Sequence, residues 1–467
     1  MVINTQKIRI VYTIFVFIVL AAFDNIVIGL FPPLFSLIAK DFNVHISSLG
    51  IISAVNILVT SLSSVYWGYL AGKGNRKKYI IIGTVIWAAS VFLTSVCKNY
   101  IQLFVLQVFT GIGLGCIASI GYSVLTDYIP HKYRGMLLSL WGMAQGFGGI
   151  AGALMASLIA TASSWRTPFG IVSVIGFFLL FLYVFIREPS MGESEPELKE
   201  FVRNGQEYNY RIEMKHLYGI VSKSSNIWLL QQGFFMNITT GTLIWLPTLY
   251  ISKIEHSGYS TQTSIVAAGY LFALLQIGGL TSSYFGYLGD VFQRKTYKGR
   301  AYLTALVVFL AAPIYTAMFA IPMNHLRLPD DNSPISILLY LLKEIVLNPW
   351  TMLMFILAFL ATAAQSANTP NWLALITDVN LPEHRATVFS LANLIGGIGR
   401  TIGNVGVGIV LAFVSNFTNE PNSYIITLTL FQIFFVPAAF CYIKMARLNV
   451  YDIKKVNRTL RKRAGTG

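Results

Sequence analysis

The chain has 467 residues, of which 55% are apolar and only 11% are charged. A water-soluble domain carries about 25% charged residues, so this composition excludes an ordinary soluble fold. The net charge of +15 would fit a nucleic-acid-binding protein, but the basic residues follow the loops of a membrane topology instead. We therefore expect an integral membrane protein that binds no nucleic acid.

Long apolar blocks predict twelve transmembrane helices, since a span needs roughly 20 apolar residues in succession. The first block has no small-residue cleavage site and continues into a long helix, so we interpret it as a retained span and not a signal peptide. The predicted spans are 9–38, 47–71, 78–97, 101–127, 135–162, 166–187, 225–252, 263–289, 301–323, 350–377, 387–414 and 422–446.

Lys and Arg residues concentrate in alternate loops and in the last residues of the chain, and Arg400 is the base that falls inside a span. An excess of these residues in cytoplasmic loops orients membrane proteins. We therefore predict that both termini are cytoplasmic, in a plasma (inner) membrane.

A long polar segment divides the spans six and six. We predict an N-terminal six-helix bundle at 1–187, a cytoplasmic linker at 188–224, a C-terminal six-helix bundle at 225–446 and a basic cytoplasmic tail at 447–467. An exterior insertion at 324–349 contains a segment that predicts a short amphipathic helix at the membrane interface. The tail is interpreted as an anchor beside anionic lipid headgroups.

The two halves of the sequence repeat each other. GYLAGKGNRK at 68–77 recurs as GYLGDVFQRK at 286–295, and Asp127-x6-Arg134 recurs as Asp378-x6-Arg385. Parallel repeats of this kind imply pseudo-symmetry about the membrane normal, with a substrate site between the halves near the midplane.

Glycines recur at three- and four-residue spacing in the fifth and eleventh spans. Small residues at this spacing let helix backbones approach closely. Two interpretations are open, namely contact across sliding half–half interfaces and tight packing within one half. The glycines are Gly142, Gly146, Gly148, Gly152, Gly396, Gly399, Gly403, Gly406 and Gly408.

The repeated motifs resemble those of the major facilitator superfamily. This resemblance implies an all-α membrane protein with twelve transmembrane helices in two pseudo-symmetric six-helix bundles. Within the superfamily, the stretch around Asp24 followed by GYLAGKGNRK is most similar to the Spinster-like branch, whose animal members export lysolipids and sphingolipids. The resembling motifs are Gly68-x3-Gly72-x3-Arg76-Lys77, Gly286-x3-Asp290-x3-Arg294-Lys295, Trp165-Arg166-x2-Phe169 and Arg187-Glu188-Pro189.

Asp24 and Arg400 lie near the middle of the first and eleventh spans. A charged side chain at membrane depth is costly, so Asp24 is expected to face a wet cavity, form an ion pair or bind a proton. The resemblance implies a coupling role for it, and a structural acid bonded across helices is the alternative. Arg400 is either a cavity cation for an anionic substrate or the counter-charge of Asp24.

The chain departs from the family pattern at four positions. Gln107 stands where many members have Arg, Leu114 where Spinster-like members have Glu, and Asn25 where those members have Arg. Gly72 replaces the acid expected in the first loop motif. These departures leave Asp24 as the intramembrane candidate for protonation, and an uncoupled facilitator stays open as an alternative.

Repeated acid and base spacing at the inner helix ends predicts a cytoplasmic gate, in which charge pairs hold helices together and break as the halves rock. Simple anchoring of topology would explain the bases but not the acids. The predicted gate residues are Gly68, Arg76, Asp127, Arg134, Asp290, Arg294, Asp378 and Arg385.

Amide side chains cluster in the seventh and tenth spans and recur elsewhere. They can bind a substrate, or they can bond helices together, each bond contributing about 0.6–2 kcal/mol. The candidate amides are Asn56, Gln231, Gln232, Asn237, Gln276, Gln365, Asn368 and Asn371, with Asn25 and Gln107 beside them.

The sequence lacks metal-ligand spacing, a nucleophile pattern and a phosphate-binding glycine loop, so we expect neither an enzyme nor a cofactor. We expect a secondary transporter for a small or amphipathic organic molecule, lysolipid-like or drug-like, coupled to protons through Asp24. The alternatives are an uncoupled uniporter and a non-transporting receptor or scaffold on the same fold. The expected partners are the substrate, protons and membrane lipids, and the chain is expected to be a monomer.

Overall fold

The computed structural model of the chain describes residues 5–71, 75–121, 124, 134–186, 219, 222–323, 325–329 and 333–463. Within these ranges it has twelve helices that are long and apolar enough to cross a membrane. The predicted all-α fold with twelve spans is therefore confirmed.

We number the spans α1 to α12 and name the additional helix Pro334–Leu347 the insertion helix. Several spans are made of two helical parts joined by a short turn. The first six are α1 (Thr5–Leu30, Pro32–Leu34 and Phe35–Phe42), α2 (Ile46–Ala71), α3 (Arg76–Thr94), α4 (Tyr100–Cys116 and the π-turn Ile117–Gly121), α5 (Arg134–Ala162) and α6 (Thr167–Val184). The others are α7 (Ser224–Thr242, Leu243–Trp245 and Leu246–His256), α8 (Thr261–Leu275, Ile277–Thr281 and Ser282–Lys295), α9 (Gly299–Ala320), α10 (Pro349–Ser366 and Asn368–Val379), α11 (Pro382–Val414) and α12 (Asn422–Phe431, Gln432–Phe434 and Phe435–Arg463).

The spans pack as two halves, α1–α6 and α7–α12. In the first half α1 packs against α5, and in the second α7 packs against α11. The halves meet where α2 contacts α11 and where α5 contacts α8. We call the face with the two chain ends and the α2–α3, α8–α9 and α10–α11 connections the terminal side, and the opposite face the far side.

Glycines bring the paired helices of each half into backbone contact. A Cβ added at Gly148 or Gly152 of α5 would overlap the carbonyl oxygens of Ala22 and Ile26 in α1. The same geometry recurs in the second half, where Gly399 lies against Phe234 and Gly403 against Ile238. These glycines therefore pack within one half, and the repeat seen in the sequence is also a repeat of helix packing.

Proline and irregular turns interrupt several spans. A proline lacks the backbone N–H that continues a helix, and Pro32 and Pro33 form the short turn that divides α1. α8 is divided at Gln276, and α4 ends in a π-turn that begins at Ile117. Such interruptions are frequent at functional sites, and the two in α4 and α8 border the cavity described below.

The last span is longer than the sequence predicts. α12 continues to Arg463, past the predicted end of the span at 446. At the terminal side, Asp452 of this extension accepts a hydrogen bond from Ser225 (2.5 Å) and lies 3.7 Å from the ammonium of Lys223. These contacts fix this part of the extension to the start of α7.

Candidate functional site

A cavity of about 660 Å³ lies between the two halves. Its volume falls within the range of sites that bind small organic molecules. α1, α2, α4 and α5 form one wall, and α7, α8, α10 and α11 form the other. The charged side chains among its lining residues are Asp24 on the first wall and Arg400 on the second.

Asp24 is buried, with 6% of its surface exposed. Its Oδ1 makes no hydrogen bond, and no ion pair joins it to any residue that the structure describes. α1 holds this carboxylate at the cavity because its other face is pressed against α5. A carboxylate in this position can accept a proton or bind a cation from the cavity.

Arg400 donates a hydrogen bond from Nη2 to Oδ1 of Asn237 (3.1 Å), while its buried Nε has no partner in the part of the chain that the structure describes. Asp24 and Arg400 share the cavity but do not pair with each other in this conformation. Each therefore keeps hydrogen-bonding capacity for a bound molecule.

Five of the candidate amides line the cavity, and neighbouring side chains hold three of them. Asn368 accepts hydrogen bonds at Oδ1 from Tyr442 (2.7 Å) and Gln232 (2.8 Å). Gln365 accepts one at Oε1 from Tyr315 and donates weakly to Thr240 (3.4 Å). The lining amides from the sequence prediction are Asn25, Asn237, Gln276, Gln365 and Asn368.

Asn56 and Gln107 are not in the cavity lining. Both are buried between α2 and α4, where Asn56 Nδ2 donates to the backbone oxygen of Gln107 (2.8 Å) and to its Oε1 (3.3 Å). Asn371 is fully buried and donates to backbone oxygens of Phe285 and Ala367. These amides bond helices together, which is the second interpretation that the sequence allowed.

Gln231 and Gln232 occupy different surroundings although they are adjacent in α7. Gln231 is exposed and lies outside the cavity lining. Gln232 is fully buried and supports Asn368 from behind.

Sequence analysis missed several residues of the site. Tyr315 and Tyr442 were not candidates, although they support two cavity amides from α9 and α12. No local signal in the sequence links these tyrosines to the amides of α10. Other lining residues absent from the prediction include Thr60, Ser61, Ser64, Phe272, Trp372 and Asn393.

A cluster of charges at the terminal side joins α8, α9 and α10. Arg300 is buried and donates from Nη2 to Oδ1 of Asp290 (2.5 Å), and its Nε lies 4.0 Å from Oδ2 of Asp378. Gln293 donates to the same Asp378 oxygen (3.3 Å). Arg300 is thus the base between the two predicted gate acids, and the sequence prediction had named Arg294, whose side chain is exposed.

The other predicted gate residues have varied surroundings. Gly68 is half-buried in α2, and Arg76 is buried at the start of α3. Asp127 and Gly72 lie outside the described residues, as do the side chains of Arg134 and Arg385.

Several contacts between the halves lie on the far side of the cavity. Asn404 of α11 donates to the hydroxyl of Ser53 in α2 (3.2 Å) and accepts a hydrogen bond from the indole of Trp245 (2.9 Å). The ring of Trp245 lies edge-on against Phe35 of α1, with centroids 5.8 Å apart. Gln262 of α8 donates to the backbone of Thr161 in α5 (3.4 Å). These contacts close the cavity toward the far side.

A family model described as the Major Facilitator Superfamily matches residues 14–342. The chain belongs to this superfamily. Solved structures of similar fold include a bacterial homologue of the human lysosomal transporter Spinster in an inward-facing and occupied conformation. This major facilitator protein matches it with a TM-score of 0.69 and 18% identity, over 94% of this chain and 97% of that one. A D-xylose–proton symporter matches with a TM-score of 0.64 and 14% identity, over 94% and 97% of the two chains.

Curated relatives of this major facilitator protein include members of the Spinster branch. Protein spinster of Drosophila melanogaster is 25% identical over 162 residues, which make up 34% of this chain and 26% of that protein. The sphingosine-1-phosphate transporter SPNS2 of Danio rerio is 28% identical over 162 residues, or 34% and 32% of the two chains. The benzoate transport protein of Acinetobacter baylyi is 21% identical over 306 residues, or 60% and 63%. Each match spans less than two thirds of the relative's own length. The predicted resemblance to the Spinster-like branch is confirmed.

Proposed function

We propose that this major facilitator protein is a secondary transporter that moves a small or amphipathic organic molecule by alternating access. The observation that carries the proposal is Asp24, a buried carboxylate on the wall of a cavity between two matching halves, with no ion-pair partner among the residues that the structure describes. A group of this kind is costly at membrane depth and is therefore typical of substrate or ion pathways. The names of the relatives, which include transporters of sphingosine-1-phosphate, benzoate and riboflavin, support an organic substrate.

In the proposed cycle, the two halves rock about the central cavity. The far-side contacts of Trp245 with Phe35 and of Asn404 with Ser53 hold the state described here. Opening these contacts and closing the terminal side would expose the cavity to the far side. The charge cluster around Arg300 keeps α8, α9 and α10 together as one body during this movement.

Proton coupling is assigned to Asp24. The carboxyl group of Asp24 can bind a proton, or it can accept a cation or a donor from the substrate. Substrate and proton then compete for one carboxylate, and this competition couples their movements. Arg400 on the opposite wall contributes hydrogen-bond donors to binding of the substrate.

The topology proposed for the cycle places the terminal side in the cytoplasm of a cell with a plasma (inner) membrane. The support is the concentration of Lys and Arg in the terminal-side loops and in the α12 extension. The division into bundles at 1–187 and 225–446, joined by a linker at 188–224, is part of the same proposal. Labelling of single cysteines in the linker and in residues 464–467 with an impermeant reagent tests it, since labelling from opposite faces would overturn it.

The experiment for function begins with a thermal-shift screen of purified protein against lysophosphatidylcholine, sphingosine, riboflavin and benzoate. Radiolabelled compounds that stabilise the protein are then assayed for flux in proteoliposomes with an imposed pH gradient. We expect gradient-driven accumulation by the natural protein, loss of accumulation in Asp24→Asn and no change in Glu255→Gln. Glu255 is a matched control because it is an exposed acid outside the cavity.

The alternatives give different results in the same assay. Equilibration of the compound without a response to the pH gradient would indicate a uniporter. Binding without any flux would indicate a receptor on a transporter fold. Accumulation that survives intact in Asp24→Asn would remove Asp24 from the coupling role.

A further inference from the structure

The hydroxyl groups of α2 on the first-half wall donate hydrogen bonds to backbone oxygens of their own helix. Thr60 donates to the backbone oxygen of Asn56 (2.8 Å), Ser61 to that of Ile57 (2.9 Å) and Ser64 to that of Ser61 (2.7 Å). A hydroxyl has one hydrogen and two lone pairs, so only acceptor capacity is left for the cavity. Asp24, on the same wall, is an acceptor when it is ionised. This wall therefore offers mainly oxygens that accept.

The second-half wall differs, because its charged residue and one of its amides present hydrogen-bond donors. Arg400 has only donors, and among the described residues Asn237 accepts from one of them. Asn368 has its Oδ1 occupied by two donors, while its Nδ2 makes no hydrogen bond within the part of the chain that the structure describes. The free hydrogen-bonding group of Asn368 is thus its NH₂.

The orientation of these amides is determined by buried tyrosines. Tyr442 is fully buried, and its O–H needs an acceptor, which Oδ1 of Asn368 provides. Tyr315 is also fully buried and donates in the same way to Oε1 of Gln365. Because each phenol requires an oxygen, each amide must direct its nitrogen elsewhere, and both amides line the cavity.

Some lining groups are not polarised. Asn25, Gln276 and Asn393 retain donor as well as acceptor atoms. On the second wall Thr240, Thr362 and Ser366 also donate their hydroxyl hydrogens to backbone oxygens of their own helix, so they too offer acceptor oxygens. Acceptor hydroxyls thus occur on both walls, and the difference between the walls rests on Asp24 on one side and on Arg400, Gln365 and Asn368 on the other.

We propose that this polarised cavity selects a ligand with two separate polar groups, an ammonium or other N–H donor and an anionic oxygen from a carboxylate or phosphate. The N–H group binds Asp24 and the hydroxyls of α2, and the anionic group binds Arg400 and the amide nitrogens that Tyr315 and Tyr442 orient. The inference rests on the proposed function, since the ligand of this cavity is the transported molecule. Tyr315 and Tyr442 are positioning residues in this account, because they act through the amides.

A ligand bound in this way connects the two halves. Each of its polar groups contacts one half. When the terminal side closes around the ligand, the N–H group meets the first wall and the anionic group meets the second. A molecule with only one of the two groups leaves the other wall unsatisfied, and buried polar groups without partners are costly. Selection by charge pattern and movement of the halves thus depend on the same contacts.

The test measures equilibrium binding of three probes with equal chain length, 8-aminooctanoate, octylamine and octanoate, to the full chain in nanodiscs. Empty nanodiscs give the background from partition into lipid. We expect 8-aminooctanoate to bind about tenfold more tightly than either single-charge probe, because it satisfies both walls. Octyl phosphate in place of octanoate shows which anionic oxygen the second wall prefers.

Variants separate the two walls. Asp24→Asn should weaken the binding of octylamine by about tenfold and that of octanoate by less than about twofold. Arg400→Gln should have the reverse effect on the two probes. Arg400→Lys keeps the charge if the glutamine variant does not fold. Tyr442→Phe keeps the volume but frees Oδ1 of Asn368, so it should weaken octanoate severalfold and leave octylamine unchanged. Glu255→Gln and Arg327→Gln are controls with matched charge changes at exposed positions outside the cavity.

Equal loss of both single-charge probes in Asp24→Asn, or binding of octanoate as tight as that of 8-aminooctanoate, would overturn the polarised cavity. Because these measurements need neither flux nor a gradient, their outcome is independent of the transport assay. Charge-selective binding without flux would overturn the transport proposal and support this one, whereas flux with no charge selection would overturn this one alone.

Discussion

Gly241 of α7 lies against the backbone carbonyl of Arg400 in α11, so closely that a Cβ at this position would overlap the oxygen. The first half has the matching contact between Gly29 of α1 and the carbonyl of Gly149 in α5. Under the pseudo-symmetry, Arg400 in α11 therefore occupies the position that Gly149 occupies in α5. Close packing of α7 on α11 holds the Arg400 backbone in a fixed position relative to Asn237, which accepts a hydrogen bond from its side chain.

Gly241→Ala should displace α11 at Arg400. A backbone oxygen cannot rotate away as a side chain does, so overpacking of this kind should cost about 1–3 kcal/mol of unfolding free energy. It should also weaken binding of octanoate, because the guanidinium moves with its helix. Denaturant titration and the octanoate assay measure the two effects. Gly170→Ala is the control, since an added Cβ there meets only Ser95 at ordinary contact distance, 3.7 Å. Equal behaviour of the two variants would contradict the prediction.

Trp245→Ala should open the far side of the cavity. The substitution removes the ring contact with Phe35 and the hydrogen bond to Asn404, and it leaves a void beside Gly50, where an added Cβ would lie 2.8 Å from the indole. The measurement is the rate at which an impermeant maleimide, applied from the far side, labels a cysteine introduced at Thr240 in the cavity.

We expect faster labelling in Trp245→Ala. The substitution removes contacts that stabilise the state closed on the far side, so it shifts the equilibrium toward the state open on that side. Trp350→Ala is the matched control, since Trp350 is a half-exposed residue at the start of α10 outside this contact. A labelling rate that does not differ from that of the natural chain would mean that other contacts hold the far side closed.

Arg300→Gln should destabilise the second half more than Arg294→Gln does. The first substitution leaves Asp290 and Asp378 without their shared base, whereas Arg294 is exposed. Because the side chains of the two acids are 53% and 33% exposed, we expect a moderate loss of about 1–2 kcal/mol, less than for a fully buried pair. Unfolding in denaturant measures it, and a double-mutant cycle with Asp290→Asn should yield a coupling energy for the pair. Equal stability of the two arginine variants would contradict the assignment of Arg300.

The sequence was sufficient to predict the twelve spans and the repeat, and it identified Asp24 and Arg400 as charged residues at membrane depth, with a cavity as one of the surroundings open to them. These features depend on the length of apolar blocks and on the rarity of charge within them, both of which can be counted along the chain. The rotation of each helix about its axis does not follow from such counts. A span that is apolar on nearly every side gives no pattern of polarity to show which residues face the cavity.

The amides illustrate this limit. Asn56 and Asn368 are similar as sequence features, yet the first bonds α2 to α4 and the second lines the cavity. Which one a substrate meets depends on the packing of helices distant in sequence, as the contact between Tyr442 and Asn368 illustrates. Arg300 was missed for a related reason. It lies outside the repeated loop motif, which contains Arg294, and its position between Asp290 and Asp378 depends on the packing of α9 against α8 and α10.

The insertion helix should lie in the interfacial region of the far-side leaflet. Leu341 and Ile337 are fully buried against the second half, and the carboxylate of Glu344, on the same face, accepts a hydrogen bond from Asn348 (2.9 Å). The opposite face carries an exposed apolar stripe at helical spacing, formed by Ile335, Leu339, Leu342 and Val346. A stripe of this size is costly in water and is typical of a helix that lies in the membrane interface.

A fluorophore on a cysteine introduced at Leu339 measures this position in the membrane. We expect strong quenching by a spin label placed high in the lipid acyl chain and weak quenching by aqueous iodide, because the side chain is in contact with lipid. A cysteine at Arg327, an exposed residue that precedes the insertion helix, should show the reverse pattern. The three native cysteines are buried, so labelling should be confined to the introduced residue. Strong iodide quenching at both positions would show that the stripe faces water, and the insertion helix would then need another partner to cover it.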